Sequence, residues 1–194
     1  MIEFLRLFLT FVVVVNPSGN ALRWNALSAG FGRPQRRGWA LAAIATAATL
    51  LVPCVLLGDE ILDFFDVSVS SWQSGAGLLL IIGLVPTLLL REPFNPEPLP
   101  SSRWKRAIEA GRLALSVATP AVIVVSAFYG ADRGTLRSLG ALAGALAILA
   151  AAVLASRRLE TGTTRLPLRE GGRVLSVIAV VIGIDLLIDG IERV

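Results

Sequence analysis

The sequence predicts an all-α integral membrane protein with six transmembrane helices. These form a 3+3 inverted repeat in which the first and fourth helices are broken. Three observations lead to this fold class. Hydrophobic residues make up 55% of the 194 residues, more than a soluble domain usually carries. The mean hydropathy is +0.73. The basic residues also collect in alternate connections between apolar segments, which is typical of a chain that crosses a membrane repeatedly.

Six segments are apolar and long enough to cross a bilayer, for which about 20 residues suffice. We predict spans at 4–22, 38–57, 72–90, 113–130, 136–156 and 174–191. The first span follows Arg6 and is similar to a secretory signal. Because it continues into a polytopic chain, we interpret it as an uncleaved helix.

The charges of the connections orient these spans. All but four of the 18 basic residues lie in the first, third and fifth connections. The second connection carries only acids, which we interpret as a short, solvated outer loop; they are Asp59, Glu60, Asp63 and Asp66. By the positive-inside rule, the odd-numbered connections are cytoplasmic. We therefore expect a multi-pass membrane protein with both termini on the outer side of the membrane.

The chain divides into two halves around a proline-rich stretch. Residues 1–92 are predicted to form the first three-helix repeat and residues 107–194 the second. Residues 93–106 form a stiff cytoplasmic linker between them. Three crossings are an odd number, so the second copy must enter the membrane from the opposite side. The prediction is an inverted repeat whose two breaks face each other near the bilayer middle.

The first span is interrupted by Asn16-Pro17-Ser18-Gly19-Asn20. Pro17 removes a backbone donor and Gly19 loosens the next turn. The asparagine side chains can bond the backbone groups that are released. In lipid, such a break survives only where it is buried in protein or lines a wet cavity, and transporters build binding sites from broken helices. The alternatives are a simple proline kink or the end of the first helix.

A second break is predicted at Thr119-Pro120 in the fourth span. We expect the polar groups near the two breaks to contact a small polar substrate, with Gln73 reaching them from the start of the third span. The predicted substrate-binding residues are Asn16, Ser18, Asn20, Ser116, Thr119 and Gln73, and the helix-break residues are Pro17, Gly19 and Pro120. The alternative is that the hydroxyls bond their own helix carbonyls. It is favoured for Ser126 and stays open for Ser116 and Thr119.

Asp185 is an acidic residue within the sixth span, with apolar neighbours on both sides. An isolated charge at depth in a membrane is costly, so this carboxyl must be protonated, paired or facing water. We predict a role in coupling to a proton or cation, or in contacting substrate. The alternative is a solvated position near the outer interface, close to Asp189 and Glu192.

The sequence contains no set of residues typical of a catalytic site, so we expect neither an enzyme nor a cofactor. Histidine is absent, which removes the commonest metal ligand and the usual proton carrier at neutral pH. The net charge of +4 does not indicate nucleic-acid binding, because the positive residues are dispersed among the loops. The expected partners are a small-molecule substrate and membrane lipids. Gly140 and Gly144 form a smooth GxxxG face that packs helices within a protomer or joins protomers in a homo-oligomer.

Several stretches carry a resemblance to a known family. They are Asn16-Pro17-Ser18-Gly19-Asn20, the segment from Phe65-Asp66-Val67-Ser68 through Trp72-Gln73 to Leu80, and the last span with Arg173 and Leu186-Leu187-Ile188-Asp189-Gly190-Ile191. The first is similar to the NPxGN motif of the MarC family of bacterial inner-membrane proteins. That family is grouped with neutral amino acid transporters and more distantly with LysE-type exporters. The resemblance covers nearly the whole chain and implies a six-helix fold with a path for small amino acids such as alanine or glycine.

The chain departs from the family pattern at several positions. Thr119-Pro120-Ala121 stands where the family has a GPG break, Gln73 stands where arginine is usual, and Asp185 where glutamine is common. These changes shift the local charge towards negative, which favours a cationic group or a proton. We therefore expect a transporter or exporter of a small polar metabolite, with a neutral amino acid as the leading candidate, working by alternating access. The alternative is a non-transporting membrane scaffold that binds lipid or a partner.

Overall fold

The structure of the chain, a computed structural model, describes residues 2–28, 32–89, 107, 108, 111, 114, 117–156 and 165–193. At residues 33, 86–89 and 165–169 it describes the main chain only. Within these ranges the regular structure is entirely helical. The helices are α1 (Ile2–Val15), α2 (Pro17–Leu27), α3 (Arg33–Leu56), α4 (Gly58–Phe64), α5 (Val69–Leu89), α6 (Pro120–Arg133), α7 (Thr135–Ala155) and α8 (Arg165–Glu192).

Four helical stretches are long and apolar enough to cross a membrane among the described residues. They are Ile2–Leu27, Pro34–Leu56, Thr135–Ala155 and Glu170–Glu192, and they match the predicted first, second, fifth and sixth spans. The predicted third span corresponds to α5, which forms a fifth candidate when it is combined with α4. Of the predicted fourth span, continuous helix is described only from Pro120 onward. The count of six spans therefore stays a prediction.

The outer surface of the bundle is apolar, as a lipid-facing surface must be. Only 28% to 39% of the most hydrophobic window of each span is buried inside the protein. Large apolar side chains such as Leu41, Ile148 and Val181 point outward from the middle of their helices. A helix that is hydrophobic on all sides is stable in a hydrocarbon environment and unfavourable in water. The protein is therefore a multi-pass helical membrane protein.

The segment α4 corrects the expectation for the second connection. The acids Asp59, Glu60 and Asp63 lie on a short helix, whereas the sequence analysis assigned them to a loop. The physical reason is local: Gly58 and the two acids at the helix start favour an α-helical first turn, since negative charge is stabilised at a helix N-terminus. The axis then turns by 103° between α4 and α5, with Asp66 in the left-handed conformation near this bend. The acids remain exposed to solvent.

Helices α5 and α8 pack closely against each other and run antiparallel. A Cβ atom built on Gly77 would lie 2.6 Å from the amide nitrogen of Leu187, and one built on Gly183 would lie 2.9 Å from the carbonyl oxygen of Gly77. Further along the pair, Gly190 lies against the backbone of Ser70 and Ser74. Small residues let the two backbones approach, which is how helices commonly associate in a membrane.

Helices α1 and α7 form a second close pair, and they run parallel. Gly140 lies against Phe4 and Gly144 against Phe8, so the GxxxG face of α7 receives aromatic rings from the same chain. A Cβ atom on Gly144 would lie 2.8 Å from Cε2 of Phe8. An intrachain partner thus covers Gly144. The predicted homo-oligomer contact through this face stays a prediction.

The pairing of helices is compatible with the predicted inverted repeat. Helix α1 packs on α7, α3 packs on α6, and α5 packs on α8. If the two predicted halves are exchanged, the pair of α1 and α7 becomes the pair of α6 and α3, and the pair of α5 and α8 stays the same. The repeat itself and the linker at 93–106 stay predictions, because the linker and much of the first part of the fourth span lie outside the described residues.

Two opposite faces of the bundle can be defined from these contacts. The N-terminal face holds the start of α1, the segment α4, the connection between α6 and α7, and the end of α8. The arginine face holds the end of α2, the start of α3 and the end of α7. The core between them is built from large, fully buried side chains, which include Phe11, Trp24, Leu51, Leu80, Phe128 and Leu149.

Candidate functional site

The first break is held by its own asparagine. Asn16 adopts a left-handed backbone conformation, with φ of 47° and ψ of 68°, and caps α2. Its Oδ1 accepts a hydrogen bond from the Gly19 amide at 3.0 Å. Pro17 occupies the first position of α2, where its missing N–H costs nothing. The structure separates α1 from α2 at Asn16, and the two helices together form one candidate span, Ile2–Leu27.

The same asparagine ties the break to α8. Its Nδ2 donates to the Gly172 carbonyl at 3.3 Å and to the Ser176 hydroxyl at 3.0 Å. Asn20 is buried, and its Nδ2 donates to the carbonyl of Val15 at 2.7 Å. This bond replaces the backbone hydrogen bond that the Val15 carbonyl loses at the break. These amides are therefore engaged with the protein and stabilise the broken helix.

The second break is also formed, with a different cap. Thr119 has an extended conformation and caps α6, and its hydroxyl oxygen accepts from the Val122 amide at 3.4 Å. Pro120 is the first residue of α6. Ser126 donates to the Val122 carbonyl at 2.7 Å. Its hydroxyl therefore bonds to a carbonyl of its own helix, as expected for this residue. Ser116 lies outside the described residues.

A cavity of about 820 Å³ opens from the N-terminal face into the bundle. Its walls come from α1, α6, α8 and the start of α7, and Gln73 contributes from α5. Exposed charged residues such as Glu3 and Arg137 form its mouth, and apolar residues such as Val12, Val13 and Leu175 form its inner part. The cavity thus reaches the last turn of α1 before the first break. Its described lining includes none of the break residues.

Two of the residues predicted from the sequence, Gln73 and Asp185, both line this cavity. Gly190 of α8 packs against Ser70 and Ser74 of α5, so Gln73 lies at the level of Asp189 and Gly190. Gly77 packs against Gly183 and Leu187, so Asp185 lies at the level of Gly77. Asp185 is therefore about one helical turn further from the N-terminal face than Gln73.

Gln73 and Asp185 carry acceptor oxygens without a partner in the described part of the chain. Gln73 is only 3% exposed, and its Oε1 forms no hydrogen bond there. Asp185 is exposed to the cavity, and neither it nor Asp189 forms an ion pair within the described ranges. A buried amide oxygen without a partner is unfavourable and calls for an explanation such as water or a ligand.

The remaining charges of the cavity are partly paired. Glu3 and Arg137 approach to 3.5 Å across the mouth. Arg133 Nε lies 2.6 Å from Asp132 Oδ2, but this buried oxygen accepts no hydrogen bond from the described residues, so the contact is electrostatic only. The other charged lining residues are Arg6, Asp185, Asp189 and Arg193. Equal numbers of positive and negative side chains therefore surround the cavity. This balance suits a ligand that carries both signs of charge.

Sequence reasoning did not find two of the residues at mid-depth. Tyr129 and Thr10 line the cavity beside each other, and the charge of Asp185 acts on the Tyr129 hydroxyl. Tyr129 is the only tyrosine of the chain, and it lies near the end of a span. A single tyrosine near the end of an apolar span was the sequence feature that could have indicated a functional residue. The sequence alone did not indicate that α6 turns this residue towards α1.

The arginine face is closed by a buried polar network of Asn25, Arg36 and Ser156. Arg36 is 8% exposed and Ser156 is fully buried. The guanidinium donates to Asn25 Oδ1 and, at 2.9 Å, to Ser156 Oγ. Asn25 Nδ2 donates to the Ser156 carbonyl at 3.3 Å. This network joins α2, α3 and the end of α7, and sequence reasoning missed it because its members are far apart along the chain.

These features define a class: a polytopic helical membrane protein with a broken first helix and a polar cavity open to one face. The profile of the MarC family, described as "MarC family integral membrane protein", matches residues 1–194. The chain belongs to the MarC family. The resemblance of the sequence motifs to this family is thereby confirmed.

A similar protein from Archaeoglobus fulgidus is described as a "UPF0056 membrane protein". It is 34% identical over 82 residues, which are 42% of this chain. The chain covers 38% of the length of that relative. No solved structure matches the chain.

Proposed function

We propose that the protein moves a small polar metabolite across the bacterial inner membrane, with a neutral amino acid as the leading candidate substrate. The observation that carries this proposal is the cavity of about 820 Å³, which holds charged and polar side chains within a bundle of membrane-spanning helices. This volume is within the usual range of small-molecule sites, which is about 300–1,000 Å³. Polar residues inside a membrane domain are costly and generally serve a ligand or an ion pathway.

Alternating access accounts for the asymmetry between the two faces. The cavity opens at the N-terminal face, whereas the network of Asn25, Arg36 and Ser156 is buried at the arginine face. We infer that this structure represents a conformation open to one side. In the other conformation, α2 would separate from α3 and α7. The first break supports such a movement, because α2 is joined to α1 through a single non-helical residue.

The direction of opening follows from the charge of the connections. Arg36 and Arg37 lie on the arginine face at the start of α3, and the acids of α4 lie on the N-terminal face. The positive-inside rule places the arginine face in the cytoplasm. The cavity would then open outward, with both termini on the outer side. An exporter in this state would be ready to release its substrate.

Flux of labelled alanine in proteoliposomes tests the proposal. We expect wild-type protein to transport alanine and Asp185→Asn to lose most of the flux, because the carboxylate faces the cavity. Glu60→Gln is the matched control, since Glu60 is an exposed carboxylate on α4 outside the cavity lining. Absence of protein-dependent flux for a panel of small amino acids in both directions would refute transport.

The alternative function is a scaffold that binds lipid, and exposed apolar residues on the cavity wall favour it. Apolar residues on the cavity wall, such as Phe4 and Leu9, are exposed, so an acyl chain could lie against them. Under this alternative, purified protein would retain phospholipid and show no flux. Wild-type flux that is unaffected by added phospholipid would exclude it.

A further inference from the structure

We propose that the cavity recognises the protonated amine of its ligand, and that Gln73 and Asp185 are the acceptors that hold it. The inference rests on the transport function proposed above and specifies which group of the substrate is recognised. A primary ammonium carries three N–H donors and no acceptor, so it requires oxygen atoms that are not already engaged. The deeper part of the cavity offers such atoms from two different helices.

Gln73 carries a buried acceptor oxygen on the wall of the cavity. Its side chain is 3% exposed, and Oε1 has no hydrogen-bond partner within the described part of the chain. A buried acceptor without a partner is unfavourable. A ligand group that donates a hydrogen bond to this amide would remove the unfavourable state.

Two carboxylates of α8 give this wall of the cavity a negative charge. Asp189 lies at the level of Gln73 and Asp185 about one turn deeper, and neither has an ion-pair partner among the described residues. The arginines on α6 and α7 lie close to other carboxylates, Arg133 to Asp132 and Arg137 to Glu3. Carboxylates that share a cavity wall with an amide oxygen attract a cation and repel an anion.

Charged and apolar side chains follow one another along the cavity axis. Arg6 and Arg193 lie towards the mouth, near the ends of α1 and α8, and neither forms an ion pair within the described ranges. Apolar side chains of Val12, Val13 and Leu175 lie further in. An α-amino acid with a short apolar side chain satisfies all three zones. Its ammonium lies at Gln73 and Asp185, its carboxylate points towards the arginines, and its side chain faces the apolar part.

Binding to the full-length protein in detergent tests this assignment without any requirement for transport. The probes are alanine, alaninamide and N-acetylalanine, measured by isothermal titration calorimetry. Alaninamide keeps the ammonium and lacks the carboxylate, whereas N-acetylalanine keeps the carboxylate and lacks the ammonium. We expect alanine and alaninamide to bind and N-acetylalanine not to bind. Because this comparison uses the wild-type protein, it does not depend on how any variant folds.

Substitutions then assign the acceptors. Gln73→Leu and Asp185→Asn should each weaken alaninamide binding by about tenfold or more, as expected when one charge-assisted or buried hydrogen bond is lost. Gln73→Glu keeps an acceptor oxygen and adds negative charge, so it should bind alaninamide at least as tightly as wild type. Glu60→Gln is the control outside the cavity and should bind normally.

The outcomes separate this inference from the proposed function. Binding of alaninamide without flux of alanine would leave the ammonium site standing and refute transport. Flux of alanine together with binding of N-acetylalanine and not of alaninamide would leave transport standing and refute the ammonium site. Failure of all three probes to bind, or normal binding by both Gln73→Leu and Asp185→Asn, would also overturn the assignment.

Discussion

Asn16 combines an unfavourable backbone conformation with side-chain bonds in two directions. A left-handed conformation costs about 1–2 kcal/mol for most residues and less for asparagine. The side chain compensates, because its oxygen caps the Gly19 amide and its nitrogen reaches Gly172 and Ser176 on α8. At the scale of this residue, the break is a stabilised structural element.

We therefore predict that Asn16→Ala lowers the free energy of unfolding by about 1–3 kcal/mol, through loss of the cap, loss of the contacts to α8 and strain at positive φ. Asn16→Gly loses the same bonds but relieves the backbone, so it should be less destabilising than alanine. Unfolding in detergent, followed by tryptophan fluorescence, measures both. Alanine and glycine variants of equal stability would contradict the role assigned to the left-handed conformation.

At the scale of elements, the contact between α5 and α8 brings Gln73 and Asp185 to the same cavity, about one helical turn apart in depth. Gly77 faces the backbone of α8 at Gly183 and Leu187, and no side chain can be accommodated there without moving a helix. Gly75, about half a turn away on the same helix, has open space around it. The two glycines thus have different roles although both belong to one short motif.

Gly77→Ala should destabilise the protein by about 1–3 kcal/mol, because the methyl group overlaps backbone atoms of α8. Gly75→Ala is the matched control, and it should be neutral or stabilising by about 0.5–1 kcal/mol through higher helix propensity. Thermal unfolding in the same detergent compares them. Equal melting temperatures for the two variants would show that the packing of α5 on α8 is not as described.

The network at the arginine face joins three helices through one hydroxyl. Ser156→Ala removes the oxygen that accepts from Arg36 and lies 2.5 Å from Asn25 Oδ1. We expect destabilisation of about 1–3 kcal/mol, since buried polar groups lose a partner. Thr46→Ala, at an exposed threonine bonded to its own helix, should change stability by no more than about 0.5 kcal/mol. Faster amide hydrogen exchange in α2 than in wild type should accompany the Ser156 change, and unchanged exchange there would contradict a closing role.

For the whole molecule, the two faces should be accessible from opposite sides of the membrane. In a Cys54→Ala background, Glu192→Cys places a thiol at the N-terminal face and Arg37→Cys places one at the arginine face, both at exposed positions. A membrane-impermeant maleimide should label the first in intact cells and the second only after permeabilisation. The reverse pattern would invert the topology predicted from loop charge.

The sequence predicted the helical fold class, four of the spans and the positions of both breaks, because hydropathy and proline act locally. A run of apolar residues of this length favours a helix in lipid, and a proline is well tolerated as the first residue of a helix, as Pro17 and Pro120 are. Proline alone does not decide a break, since Pro53 lies inside the continuous helix α3. The acids of α4 were assigned to a loop, since a short polar segment between spans gives no clear helical periodicity. In the structure this segment forms the helix α4, and its first residue, Gly58, packs against α6.

The site was predicted only in part, and the reason is a matter of distance along the chain. The sequence by itself determined that Asn16, Gln73 and Asp185 are polar residues in apolar helices, and that each needs a partner. Only the tertiary structure decided where each side chain lies: Asn16 bonds to α8, whereas Gln73 and Asp185 both line a cavity. This outcome depends on the antiparallel approach of α5 and α8 at their glycines, and a contact between segments so far apart leaves no local pattern in the sequence.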